Sequence, residues 1–330
     1  MEYTNKRVVY FNGKYVPESE AKVSIYDSAL MFGDVVFEMT RSFNGEQFML
    51  REHLERLFLG LKILRVPVQL SIDEMEIAVH ETIEQNKPCF QADDEHRIMI
   101  NVTRGLLGLY EDEVDVPSGS NVIIADFPLR WTCQSMAHLY DSGINAIIPS
   151  QRAIPGHLLD PKIKNRSRIF YLMANIEVAL AEGNDNWALL LDPDGFIAEG
   201  TGNNFFIVKG SELITPEPRN ILRGISRDYV MHVIAPQLGL NVVERNIEPY
   251  DVYGADEAFM TSTPFCALPV CKLNGLNIGD GRPGVTYNQI INKWSSNVGV
   301  DIPNQIQNWA KAKSTTGASP NAYSFRPSRN

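Results

Sequence analysis

Two short stretches carry residues able to act together on a carbonyl compound. Lys162-Ile163-Lys164-Asn165-Arg166-Ser167-Arg168-Ile169-Phe170-Tyr171 sets Lys164 at the entrance to an apolar, helix-forming run. Further along, Ile197-Ala198-Glu199-Gly200-Thr201-Gly202-Asn203-Asn204 sets an acid at the head of a Gly-rich turn. A lysine amine forms a Schiff base with an aldehyde or ketone. Among Ile163, Ile169 and Phe170 its ammonium form is disfavoured, which suits it to moving protons near neutral pH. A carboxylate such as Glu199 keeps a heteroaromatic ring nitrogen protonated, so that the ring draws electrons from an adjoining imine. Each residue also has an ordinary role open to it, since a lysine before a helix is commonly solvated and Glu before Gly commonly serves a turn.

An anion has a candidate seat as well. Leu222-Arg223-Gly224-Ile225-Ser226-Arg227-Asp228 leads into a helix over 229–238. A Gly followed by a helix N-terminus presents unpaired N–H groups and a positive dipole end, which makes the amides of Ile225 and Ser226 the predicted donors to a phosphate. Asp192-Pro193-Asp194-Gly195 reads as a tight turn between two strands, and the glycines at 200 and 202 let backbone come close to a ligand.

The elements that must carry these groups follow from periodicity. Val8–Phe11 and Lys14–Val16 flank Asn12-Gly13, the signature of a type I′ hairpin. Leu54, Leu57, Phe58 and Leu61 recur at helical spacing after Arg51, and Ser71 with Glu74 opens a second helix through a capping box. Residues 97–105 alternate as a half-buried strand, 106–117 are a polar loop, 122–125 a short apolar strand and 285–294 a closing helix. The chain is therefore expected to be α+β: a smaller N-terminal α/β domain over 1–126, a connection over 127–139, a larger domain over 140–304, and a polar, mobile tail over 305–330.

With 330 residues and 44% hydrophobic content the chain can bury two cores. Its net charge of −10 and pI near 5.2 argue against nucleic acid or an anionic membrane surface as partner. Cys89, Cys133, Cys266 and Cys271 lack metal-ligand spacing, so no metal is expected, and the start carries no signal-peptide pattern. No apolar run reaches the length of a membrane span. A reducing, cytoplasmic setting is expected, where the Asn-x-Ser/Thr triplets at Asn101 and Asn165 carry no glycan.

Residues 164–177 and 188–208, the latter reading ALLLDPDGFIAEGTGNNFFIV, resemble the core signature of the class IV, or fold type IV, pyridoxal-phosphate transaminases. The likeness runs from about Val8 to about Ile291. That family includes branched-chain and D-amino acid aminotransferases, (R)-selective amine transaminases and aminodeoxychorismate lyase. The resemblance implies a large domain with a mixed, barrel-like sheet and flanking helices. It implies pyridoxal 5'-phosphate as cofactor, Lys164 as the Schiff-base lysine and Glu199 as partner of the ring nitrogen. Arg56, Gly224, Ile225, Ser226 and Thr263 would hold the phosphate. Phe32, Phe37, Arg104, Thr261 and Ser262 would line the substrate pocket; Arg97 is a further candidate for a substrate carboxylate, though an exposed rim charge is the preferred reading of it. It also implies a homodimer or larger homo-oligomer in which both subunits line each site. The implied reaction moves an amino group from an apolar, branched-chain-like L-amino acid to a 2-oxo acid.

The chain departs from the branched-chain pattern in places. Ile169 stands where many of those enzymes have a tyrosine five residues after the lysine, and their Tyr-x-Arg-Pro feature is missing. Arg166, Arg168 and Tyr171 lie near enough in sequence to take the tyrosine's place, and the sequence does not choose among them. Phe32-Gly33-Asp34 and Thr103-Arg104-Gly105 are closer to D-amino acid and (R)-amine transaminases, which keeps that alternative open. The lyase relatives favour a threonine-rich segment where this chain has Glu38-Met39, and intact Lys164 and Glu199 oppose a noncatalytic member.

Overall fold

The computed structural model describes residues 7–115 and 117–312. They fall into two units, 7–131 with 163–168, and 132–162 with 169–312.

The first unit is built on a five-stranded antiparallel sheet in the order Lys14–Pro17, Val8–Phe11, Asn121–Pro128, His96–Thr103, Val35–Met39. The first hairpin turns through Asn12 and Gly13, both at positive φ, as the type I′ geometry requires. Along His96–Thr103 the even-numbered residues are buried, whereas Arg97, Met99 and Asn101 stay partly exposed. The buried face takes the helices Leu50–Ile63 and Ile72–Asn86. Leu54, Leu57, Leu61, Met75, Val79 and Ile83 close over Ile98, Ile100 and Val102, each such side chain contributing about 1.5–3 kcal/mol by burial. Ser71 and Glu74 form the expected capping box.

The second unit holds a mixed nine-stranded sheet. Its main path runs Ile197–Gly200, Asn186–Leu191, Ile144–Ile147, Cys266–Leu273, Glu257–Ser262, Asn204–Lys209, Glu212–Thr215, Asn241–Glu244. Ile197–Gly200 is first in that order and Asn204–Lys209 sixth, yet only a short turn joins them. In a flat sheet, strands five places apart would lie roughly 24 Å from each other. Four Cα–Cα steps span at most about 15 Å. The sheet therefore curls into a half-barrel, and the same turn brings Glu199 and Asn204 together. Helix Ile169–Leu180 packs Tyr171, Ala174 and Val178 against Ala188, Leu190 and Ala198. From Ile225 to Leu238 the chain is helical but widens to a π-turn over Val230–Ile234. Pro236 is the reason, because it has no N–H to offer the carbonyl of His232.

Three boundaries differ from expectation. Strand Asn121–Pro128 occupies the start of the expected connection at 127–139, and the units divide after Trp131. Residues 163–168, expected with the large domain, join the first unit because they extend its sheet edge: Phe37 N–H donates to Lys164 O at 2.9 Å and Arg166 N–H to Val35 O at 3.0 Å. The polar stretch from 305 begins within a helix, Ile302–Ala312, which buries Ile306 and Trp309; the rest of that expected tail lies outside the described residues. Among the described residues no helix is long and apolar enough to cross a membrane.

Candidate active site

Lys164 does not sit on a helix, because Ile169 begins it. The residue lies in an extended segment fixed against Val35–Met39, with Asn165 bridged to Val36. Asn165 is buried; its Nδ2 donates to Ile163 O and its Oδ1 accepts from Ser167 N. Opposite residues of paired strands share a face, so Lys164 and Arg166 stand on the side of Phe37. Lys164 Nζ is 5.0 Å from the Phe37 ring centroid, Arg166 Cζ 3.6 Å and Arg168 Cζ 5.0 Å. Arg166 donates Nε and Nη2 to Asn101 Oδ1, and Arg168 donates Nε to Asn165 O.

On the helix-covered side of the same strand, Glu38 is completely enclosed. Arg56 Nε meets its Oε1 at 2.6 Å, Arg56 Nη2 its Oε2 at 2.9 Å, and His53 Nδ1 the same Oε2 at 2.8 Å. Burial alone would push the Glu38 carboxyl up, but the charge of Arg56 and the hydrogen bond from His53 outweigh it and hold the group well below the usual carboxylate range. Burial pushes His53 below the ordinary imidazole range despite Glu38. The neutral ring then donates from Nδ1, leaving buried Nε2 with no hydrogen-bond partner among the described residues.

Two other residues expected near a substrate have different surroundings. Arg104 gives Nε to Asp34 Oδ2 at 2.6 Å, Nη1 to Arg65 O and Nη2 to Leu64 O, each at 2.9 Å. Its guanidinium ties the turn at Asp34 to the end of helix Leu50–Ile63. Phe32 ends the short helix Ser28–Phe32 and is 66% exposed. Arg97 is partly buried, with Nη2 3.6 Å from Met39 Sδ, instead of standing on an exposed rim.

In the second unit, Glu199 is 4% exposed. Its Oε1 accepts from Tyr171 OH at 2.8 Å, and its Oε2 from Asn204 Nδ2 at 3.1 Å and Leu222 N–H at 3.0 Å. Asn204 Nδ2 also donates to Leu222 O. The glycines around this group leave room for it: a Cβ at Gly224 would lie 2.0 Å from Asn204 Oδ1, and one at Gly200 2.1 Å from Asn203 Oδ1. Gly224 is the N-cap of the helix that starts at Ile225, and Ser226 is buried in its first turn. Strand Glu257–Ser262 ends in Thr261 and Ser262; the buried Oγ1 of Thr261 has no hydrogen-bond partner among the described residues. Ser262 Oγ donates to Gly202 O, and partly buried Thr263 follows in the turn to Cys266, itself at φ 62°.

Residues 35–273 match the amino-transferase class IV family. A putative branched-chain-amino-acid aminotransferase of Methanocaldococcus jannaschii is 38% identical over 279 residues, 84% of this chain and 91% of that protein. The chain belongs to the class IV aminotransferases. The crystal structure of the Escherichia coli branched-chain amino acid aminotransferase superposes with a TM-score of 0.78 at 30% identity, covering 89% of this chain and 94% of that one. A thermophilic-archaeal neighbour, the branched-chain aminotransferase from Thermoproteus uzoniensis with norvaline, gives 0.75 at 29% identity, covering 92% and 98%. Another branched-chain amino acid aminotransferase, from T.th. and complexed with N-(5'-phosphopyridoxyl)-L-glutamate, gives 0.77 at 28% identity, covering 92% and 97%.

A class IV aminotransferase is an amino-group transferase that works with pyridoxal 5'-phosphate, and the residues present fit that group. The first unit offers an amine beside an aromatic ring; the second offers a buried carboxylate held by neutral donors, helix-start amides and an orphaned hydroxyl. Sequence reasoning did not anticipate Tyr171 and Asn204 as partners of Glu199, or Glu38 and His53 as the surroundings of Arg56. Tyr171 carried a signal in its i, i+3, i+7 relation to Ala174 and Val178, which marks a buried helix face.

Proposed function

We propose that the chain transfers the amino group of an apolar, branched-chain-like L-amino acid to a 2-oxo acid such as 2-oxoglutarate. The observation that carries this reading is Glu199, a buried carboxylate solvated by Tyr171, Asn204 and Leu222 N–H. Neutral donors steady its negative charge without cancelling it, which suits it to a protonated ring nitrogen. Pyridoxal phosphate, when bound, supplies the electron sink. Lys164 would hold that group through its Nζ amine, and as a free amine it would move the proton of the donor's α-carbon. Arg56, the amides of Ile225 and Ser226, and Thr263 hold the phosphate, with Gly224 giving the backbone its approach. Phe37 in the first unit, and Thr261 and Ser262 in the second, are the residues assigned to the substrate.

The branched-chain names of the relatives support the substrate class, and the L-glutamate adduct in one neighbour supports the hand. The engagement of Arg104 with Asp34 weakens the D-amino acid alternative, which would use that guanidinium for a carboxylate. A homodimer accords with the exposed apolar side chains of the first unit, Ile25, Leu30, Phe32 and Leu109, each more than half exposed. Four free cysteines accord with a cytoplasmic setting.

The test is a half-reaction assay that follows the cofactor spectrum with separate L-amino acid, D-amino acid and (R)-amine donors. L-Leu and L-Ile are expected to react, with Lys164→Ala silent toward every donor. Reaction with D-amino acids or (R)-1-phenylethylamine alone would overturn the substrate reading, and full turnover by Lys164→Ala would overturn the role of that lysine.

A further inference from the structure

Glu38 is a charged group in the interior of the first unit, at 0% exposure, on a strand whose neighbouring residues have obvious uses. Val36 fills the core, and Phe37 stands under Lys164. An isolated carboxylate is costly to bury, so its partners must be well aligned for the fold to keep it. They are. Arg56 meets it with a two-point fork along the Nε–Nη2 edge, and neutral His53, one turn earlier on the same helix, satisfies Oε2 from the other side. A guanidinium bound at two points is fixed in plane and direction, unlike one tethered through a single bond.

We propose that Glu38 is a positioning residue for the cofactor phosphate: its fork with Arg56 sets the guanidinium in the orientation that receives the phosphate. This inference rests on the reading of Arg56 as a phosphate ligand. The geometry also admits the reverse effect, because Glu38 puts a negative charge beside the residue meant to attract an anion. The two roles predict opposite signs. Removing a competitor for Arg56 would tighten phosphate binding, whereas removing an aligner loosens it.

The experiment measures dissociation constants of pyridoxal phosphate and of unphosphorylated pyridoxal for the full-length apoprotein, by quenching of intrinsic fluorescence. Wild type, Glu38→Gln, Arg56→Gln and the double variant are compared. Arg56→Gln should weaken pyridoxal phosphate and leave pyridoxal unchanged. Glu38→Gln should weaken pyridoxal phosphate by about tenfold or more, the low end for losing a group that orients a ligand-holding side chain, again without moving pyridoxal. The double variant should match Arg56→Gln alone, since Glu38 acts through that residue. Glu38→Asp, which keeps the charge but shortens the reach, supplies the answer where Glu38→Gln fails to fold, and it too should weaken pyridoxal phosphate. Wild-type or tighter binding of pyridoxal phosphate by Glu38→Gln or Glu38→Asp, or additive losses in the double variant, overturns the proposal. Equal effects of Arg56→Gln on the two ligands would instead overturn the reading of Arg56, and the proposal with it.

Discussion

Glu38 and Glu199 are both buried carboxylates on sheet strands, one in each unit, and they are answered by different kinds of partner. Arg56 forks onto Glu38, while the hydroxyl of Tyr171, the amide of Asn204 and the backbone of Leu222 approach Glu199. A cation 4 Å from a carboxylate is worth about 4 kcal/mol at an effective dielectric of 20. A neutral hydrogen bond contributes about 0.5–1.5 kcal/mol net. Arginine therefore absorbs most of the field of Glu38, and that field is turned inward to shape a neighbour. Each neutral donor to Glu199 takes up less of its charge than a cation would, which suits this carboxylate to a ligand cation. Burial by itself does not mark a working acid; the character of the groups around it does.

On this contrast, removing the charge should be felt in different quantities at the two positions. Glu199→Gln keeps the shape of the side chain and most of its hydrogen bonds but loses the charge. The kcat of the overall transamination should fall by roughly 10²–10³-fold, the scale for losing a preorganised electrostatic group, with little change in thermal midpoint. Glu38→Gln should register first in stability and cofactor affinity. A Glu199→Gln enzyme with wild-type kcat would erase the distinction between the two carboxylates.

The second expected effect concerns acid. The carboxyl of Glu38 titrates lower in the native chain than its unfolded value of about 4.3, so the unfolded chain takes up that proton first as pH drops. Its contribution to stability is fully present above about pH 4.3 and is lost on descending from there toward its native value. His53 adds to the trend, because burial lowers its native pKa while the unfolded imidazole protonates near 6.5. The difference in Tm between wild type and Glu38→Gln should accordingly be widest near neutral pH and narrow below about pH 4.3. A gap that stays constant from about pH 7 to about pH 3 would mean that Glu38 is not held ionised by its partners.

The frame of the first unit is legible from periodicity. The Asn12-Gly13 hairpin, the two helices beginning near Leu50 and Ser71, and the alternation over His96–Thr103 all arise from local steric and hydrophobic preferences that adjacent residues display. Lys164 and Glu199 stand out because amine and acid are rare in apolar company. What stays hidden depends on pairing between distant segments. No local signal says that residues 163–168 will lie along Val35–Phe37 instead of joining the helix after them, and the apolar run favours the helix. The partners of Glu38 are 15 and 18 residues away on another element, so the sequence displays them as unrelated charges. The tie of Arg104 to Asp34 is hidden for the same reason, since the two are 70 residues apart.

The smallest expected effect isolates one neutral donor. Tyr171 presents its hydroxyl to Glu199 Oε1 at 2.8 Å, while its ring belongs to the core cluster under helix Ile169–Leu180 and lies 4.2 Å, centroid to centroid, from Phe170. Tyr171→Phe keeps that packing and removes a single hydrogen bond, leaving Asn204 and Leu222 N–H on Oε2. Loss of one neutral donor is worth about 1 kcal/mol, which translates to a fall in kcat of roughly fivefold. The assay is the same overall transamination, run beside Glu199→Gln. A fall as deep as that of Glu199→Gln would mean that Tyr171 acts on the reaction directly, and Glu199 would then depend on one dominant partner in the way Glu38 depends on Arg56. A small fall would keep the two carboxylates distinct, one anchored by a cation and the other steadied by several weak donors.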